Sequence, residues 1–222
     1  MSKVHKEKII CHKCQAEAEF EFWDSINVNL DPELREKIFD DSLFIFTCPK
    51  CGNKTCVPYS TLYHDMERNF MLFFDFFPPK DYDYKPLNIP DAPIGLDKSY
   101  TMRVVHGLWR LKEKILILEK GLNDIAIERM KYMLTHITYP EIAKNGYEVY
   151  FGGVDYSNKE KSEHGSMLLF YEDENDKPVD AEIAMDMYYE NCLSVDLDPR
   201  MKPEGCMCVD EGWIARQLKK SV

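Results

Sequence analysis

Two tight cysteine pairs constrain this chain more than any other feature. Cys11-His12-Lys13-Cys14 and Cys48-Pro49-Lys50-Cys51-Gly52 stand 33 residues apart, a C-x2-C-x33-C-x2-C array. Two residues between cysteines let one short turn aim both sulfurs at one ion, and two such turns complete a tetrahedral four-thiolate site. The spacing is that of a zinc ribbon and predicts a structural Zn2+ held by Cys11, Cys14, Cys48 and Cys51. With every position filled by protein, such an ion holds a fold together and offers no open site to a substrate. A single iron on the same four thiolates is the electron-transfer alternative. A thioredoxin-like reading fits poorly, because neither pair opens a helix after a buried strand.

The two turns differ in sequence. Pro49 presets φ in the second, and Gly52 supplies the positive φ needed to leave it. The first has His12 and Gln15 at those places. His12 is expected to point into solvent rather than to serve as a ligand.

The chain has 222 residues, enough for one large or two small domains, and 13 Tyr with 12 Phe promise a sizeable core. The start MSKVHKEKIICHKC has no apolar signal region, and no apolar run approaches membrane-spanning length. The expectation is a cytoplasmic protein with no membrane partner, whose cysteines serve a metal rather than disulfides. Net charge is −11, concentrated in residues 140–222 with 9 basic and 18 acidic groups. Such a balance argues against binding a phosphate backbone.

Along the chain, Ala16, Ala18, Phe20 and Phe22 alternate with Glu17, Glu19 and Glu21, the period of a half-buried strand. Asp31-Pro32-Glu33 starts a short helix reaching Phe39, and residues 42–47 and 54–59 read as strands flanking the second pair. An aromatic run at 69–77 reads as a buried strand. Prolines at 78, 79, 86, 90 and 93 mark a linker. From Ser99 the pattern turns helical: Val104, Leu108, Leu111, Ile115, Leu118, Leu122 and Ile125 step by four and three. Gly121 should break that helix and Asn123 or Asp124 cap the next, to about Thr135. Arg103, Arg110, Lys112, Lys114 and Lys120 are expected on a solvated face. Residues 147–151, 165–171 and 181–187 read as antiparallel strands, and 213–219 as a short terminal helix. The fold class is α+β: residues 1–78 form a zinc-ribbon-like antiparallel β domain with a short helix. Residues 79–98 are the Pro-rich linker, and 99–222 a helical plus antiparallel β domain.

The runs CHKC, EFEFWDSINVNLDPELREKIFDDSLFIFTCPKCG and YHDMERNFMLFF resemble the CpXC-motif proteins of bacteria and archaea, and LWRLKEKILILEKGLNDIAIERMKYML is similar to the middle of many members. The resemblance is close over residues 11–74. It implies metal-ligand status for Cys11, Cys14, Cys48 and Cys51 and no activity, since that family has none assigned. His12 stands where proline is usual in the first motif.

Other constellations carry less. Cys192, Cys206 and Cys208 are one cysteine short of a second site and read as core residues, and Cys56 as packed or exposed beside the ribbon. His64-Asp65 has the makings of a base with its orienting carboxylate but no nucleophile, and reads as a structural hydrogen-bonder. His106, His136 and His164 are isolated, and nucleotide and hydrolase motifs are absent. These readings predict no catalytic and no cofactor-binding residue beyond the structural metal. The leading expectation is a zinc-stabilised protein-interaction module, leaning away from an enzyme. The alternatives are an enzyme with its site in the C-terminal domain or an interdomain cleft, and a nucleic-acid-binding zinc ribbon.

Overall fold

The structure is a computed structural model and describes residues 1–77, 82–87, 100–175 and 177–220. It divides into two compact units, Met1–Asp83 with Leu87–Lys112, and Tyr84–Pro86 with Glu113–Val222. Apart from residues 82–87, the linker expected at 79–98 lies outside the described residues.

The first unit is built on β1 (Lys3–Ile10), β2 (Glu17–Asn27), β5 (Thr61–Asp65), β6 (Phe70–Asp75) and β7 (Thr101–His106), hydrogen-bonded in the order β1-β2-β5-β6-β7. β1 pairs β2 and β5 pairs β6 antiparallel, while β2 pairs β5 and β6 pairs β7 in parallel. The alternation read in β2 is observed: Ala18, Phe20 and Phe22 are half-buried and Glu17, Glu19 and Glu21 exposed. β1 answers those acids: Lys6 lies opposite Glu21 and 3.2 Å from it, and Lys8, opposite Glu19, reaches diagonally to Glu17 at 3.4 Å. Opposite charges across a ladder favour that pairing over its slips. Helix α1 (Glu33–Phe39) buries Leu34 and Ile38, one turn apart. A separate antiparallel hairpin pairs β3 (Ile45–Thr47) with β4 (Lys54–Cys56).

Strand and helix divide differently from expectation around residue 107, and the strands expected at 42–47 and 54–59 are shorter, at Ile45–Thr47 and Lys54–Cys56. Residues 101–106 are strand β7, and helix α2 (Leu108–Glu119) starts only after Gly107, whose φ is +86°. Val104 fits the helical stripe by coincidence of spacing; the adjacent Val104-Val105 pair favours a strand.

The second unit takes α2 from Glu113 onward, followed by α3 (Asp124–Met133). Gly121 takes φ +66° beyond the end of α2, and the Asn123 side chain caps α3 by accepting from the N–H groups of Ile125 and Ala126, as expected. A π-helical turn at Leu134–Thr138 and α4 (Pro140–Lys144) come next. A three-stranded antiparallel sheet runs in the order β10-β9-β8, from β8 (Tyr150–Asp155), β9 (Ser166–Glu172) and β10 (Pro178–Ala184). Its last expected strand ends at Ala184, where α5 (Met185–Leu197) begins, and α6 (Glu211–Lys219) closes the unit. Trp213, Met130, Phe151, Met167 and Met185 are buried in its core.

Candidate metal centre

The two cysteine turns are both six-residue hairpin loops, the first joining β1 to β2 and the second β3 to β4. Their backbone bonding is the same. The N–H of Cys11 donates to the carbonyl of Ala16 and the N–H of Gln15 to the carbonyl of Cys11; Cys48 to Asn53 and Gly52 to Cys48 repeat both bonds. Gln15 has φ +58° and Gly52 +69°. The first turn thus takes the geometry of the second without its glycine, placing a side chain in the left-handed region that L-residues disfavour. His12 is exposed, as expected, and its ring reaches the second hairpin, with Nδ1 3.4 Å from Thr55 Oγ1 and Nε2 3.5 Å from Asn53 Nδ2.

The two turns bring four sulfurs together. Cys11 Sγ lies 3.7 Å from Cys51 Sγ, Cys14 Sγ lies 3.6 Å from Cys48 Sγ, and all four fall within 4.8 Å of one another. A tetrahedral ion with metal–sulfur bonds of about 2.3 Å requires sulfur–sulfur edges of about 3.8 Å, so the donor set fits. Cys11 and Cys48 are buried with Phe46, against the half-buried Ile9, Ala18, Phe20 and Val57; Cys14 is half-buried and Cys51 exposed. Burial works against a Cys48 thiolate. The backbone N–H groups of Cys51 and Lys50 and the neighbouring thiols outweigh it, lowering its pKa to about 6. Crowding has the opposite result at Cys51. The N–H of Asn53 favours its thiolate, but desolvation and the three neighbouring sulfurs raise it to about 12. Four thiols this close do not all ionise unaided, and a cation relieves that repulsion.

The other residues singled out in the sequence take the following contacts. His64 Nε2 sits 3.1 Å from the Tyr100 hydroxyl, and burial lowers the His64 pKa. Asp65 is fully buried and serves the β5–β6 turn, accepting from the N–H groups of Glu67 and Arg68 and from the Arg68 guanidinium at 2.7 Å. The pair makes no base–orienter dyad. Cys206 and Cys208 are buried, Cys192 half-buried and Cys56 exposed, and among the described residues only the Cys11, Cys14, Cys48 and Cys51 group could hold a metal.

Three of the five basic residues expected on a solvated face depart from it, while Lys120 is exposed and Arg110 half-buried. Lys112 and Lys114 are buried, as is Arg103 on β7. Lys112 Nζ lies 2.7 Å from Asp41. Lys114 Nζ lies 3.0 Å from Glu128 and 3.3 Å from Asp124, and donates to the carbonyl of Val209. Lys131 Nζ lies 2.8 Å from Glu113 and 3.1 Å from Glu128, and Glu113 also accepts the N–H of Phe151. Burial opposes charge on both lysines, yet the surrounding carboxylates raise their pKa values. Beside them, burial lifts Glu211 to about 7, while Thr135 Oγ1 donates to it at 2.8 Å. Sequence alone gave no sign of this network. Apart from Glu128 with Lys131 inside α3, its ionic partners lie on different helices, and residues 111–115 are buried all round, so no polar face marks α2.

None of the described helices is long and apolar enough to cross a membrane. No curated protein and no solved structure matches the chain. The family model described as CpXC protein matches residues 9–131, just over half of the chain and both cysteine turns. The chain belongs to the CpXC protein family.

Proposed function

We propose that this chain is a zinc-stabilised protein-interaction module. Cys11, Cys14, Cys48 and Cys51 hold one Zn2+, which ties the two hairpin loops together. The observation that carries this reading is the convergence of four thiols within 4.8 Å from two loops of identical backbone bonding. Zinc suits a closed four-thiolate site because it imposes no redox chemistry and favours a tetrahedron. The proposed site of action is the reducing cytoplasm, where thiols stay available to a metal.

A module that presents a surface needs a fixed backbone under it, and the ion supplies that where the core is small. Among the described residues, the buried cluster beneath the loops is Cys11, Phe46 and Cys48. All of β1 except Ile9 is exposed, including Val4 and Ile10, leaving a strand face open to a partner. The nucleic-acid alternative loses its main support, because Arg103, Lys112 and Lys114 are buried rather than displayed.

The test compares proteins that co-purify with tagged wild type and with Cys11→Ser from the native host. A defined partner recovered in stoichiometric amount with wild type and lost with the variant supports the reading. Equal recovery with both contradicts it.

A further inference from the structure

The second unit contains a three-stranded antiparallel sheet with an apolar hollow on one face. In its sheet order β10-β9-β8, strand β10 is an outer strand, bonded through one side to β9. Register places Val179, Ala181 and Ile183 opposite Tyr171, Leu169 and Met167, so these residues share one apolar face. A cavity of about 330 Å³ opens on that face, with Leu134 of the π-helical turn and Ile142 of α4 among its other walls. The hollow has a simple origin. Ala181 is the small residue between two branched ones, and it is exposed.

The surrounding charge is one-sided. Glu141 and Glu182 are the charged residues lining the cavity, and no basic residue does. Asp180 and Glu182 alternate with the apolar set and are exposed; the Glu182 carboxylate, which also borders the cavity, accepts from Asn158 and Ser166. Residues 140–222 carry twice as many acidic as basic groups, 18 against 9.

We propose that the edge of β10 takes an extended segment of a partner protein as an added strand, with alternating apolar and basic residues. Its main chain pairs with the open side of β10. One apolar side chain seats in the hollow beside Ala181, and lysine or arginine on the other face meets Asp180 and Glu182. Main-chain bonds then supply affinity, and the pocket and acids supply selectivity. An outer strand is usually protected by lysines, prolines or brevity. β10 has seven residues, a single proline at its first position and no lysine. This edge is separate from the metal centre, so its failure leaves the zinc reading standing, and the reverse also holds.

The test uses the full-length protein and a fluorescein-labelled peptide of alternating Lys and Leu, seven residues long, read by anisotropy. Controls are the same peptide N-methylated at alternate residues and a Glu–Leu peptide of equal length. The Lys–Leu peptide should bind, the N-methylated one should be at least about tenfold weaker, and the Glu–Leu one should not bind. Ala181→Trp fills the hollow without changing charge and should weaken binding about tenfold. Asp180→Lys, at an exposed position, should weaken it without relying on the cavity, and circular dichroism checks both variants for folding. Equal binding to wild type and folded Ala181→Trp, equal binding of the N-methylated peptide, or no binding at all would overturn the proposal.

Discussion

Gln15 and Gly52 occupy the same place in two loops. Each sends its N–H back to the carbonyl of the cysteine four residues earlier, at φ of +58° and +69°. Only one of them is a glycine, so the first loop carries a conformational cost that the second avoids. Gln15→Gly is expected to stabilise the N-terminal unit by about 1 kcal/mol, and Gly52→Ala to destabilise it by a similar amount. Urea unfolding of the metal-loaded protein measures both. No change in either variant would mean that the ion alone sets the loop geometry.

Replacing any of Cys11, Cys14, Cys48 or Cys51 by serine should remove the ion and loosen the N-terminal unit, because binding and folding are coupled at a structural site. Cys208→Ser should leave metal content unchanged, since that thiol is buried apart from the set with Asp210 as its neighbour. Metal-to-protein ratios across the five variants decide this.

The buried ion network makes a separate claim about stability. Lys131→Met leaves Glu113 and Glu128 facing each other with one cation fewer, and should cost about 3–5 kcal/mol. Adding Glu113→Gln should recover part of that loss, because the stranded charge goes with it. A double-mutant cycle by denaturant unfolding reads the coupling; strictly additive losses would show that the contacts carry none.

Glu211 gives a pH signature. Its carboxyl is raised from 4.5 to about 7, chiefly by burial. The folded state therefore holds a proton that the unfolded chain has released, so this contribution is whole below pH 4.5 and is lost as pH rises through about 7. Between those limits wild type should lose up to about 3 kcal/mol relative to Glu211→Gln. Parallel stability–pH curves for the two proteins would refute the shift.

What the sequence disclosed depended on range. Both cysteine loops, the β2 alternation and the Asn123 cap are local patterns and were readable. Helix α5 was not. Leu193 and Leu197 are exposed on it while Asn191 is buried, which blurs the 3.6-residue contrast that would announce it. Lys114 of α2 misled for another reason. It reads as solvated until α3 folds against α2 and brings Asp124 and Glu128 within reach. Charge pairing between helices leaves no periodic mark in a single sequence.

The most direct test of the account is the metal content of the purified protein, measured by elemental analysis with a visible absorption spectrum. One zinc per chain and a colourless solution is the predicted result. One iron per chain with thiolate-to-iron absorption, or no stoichiometric metal, would contradict it.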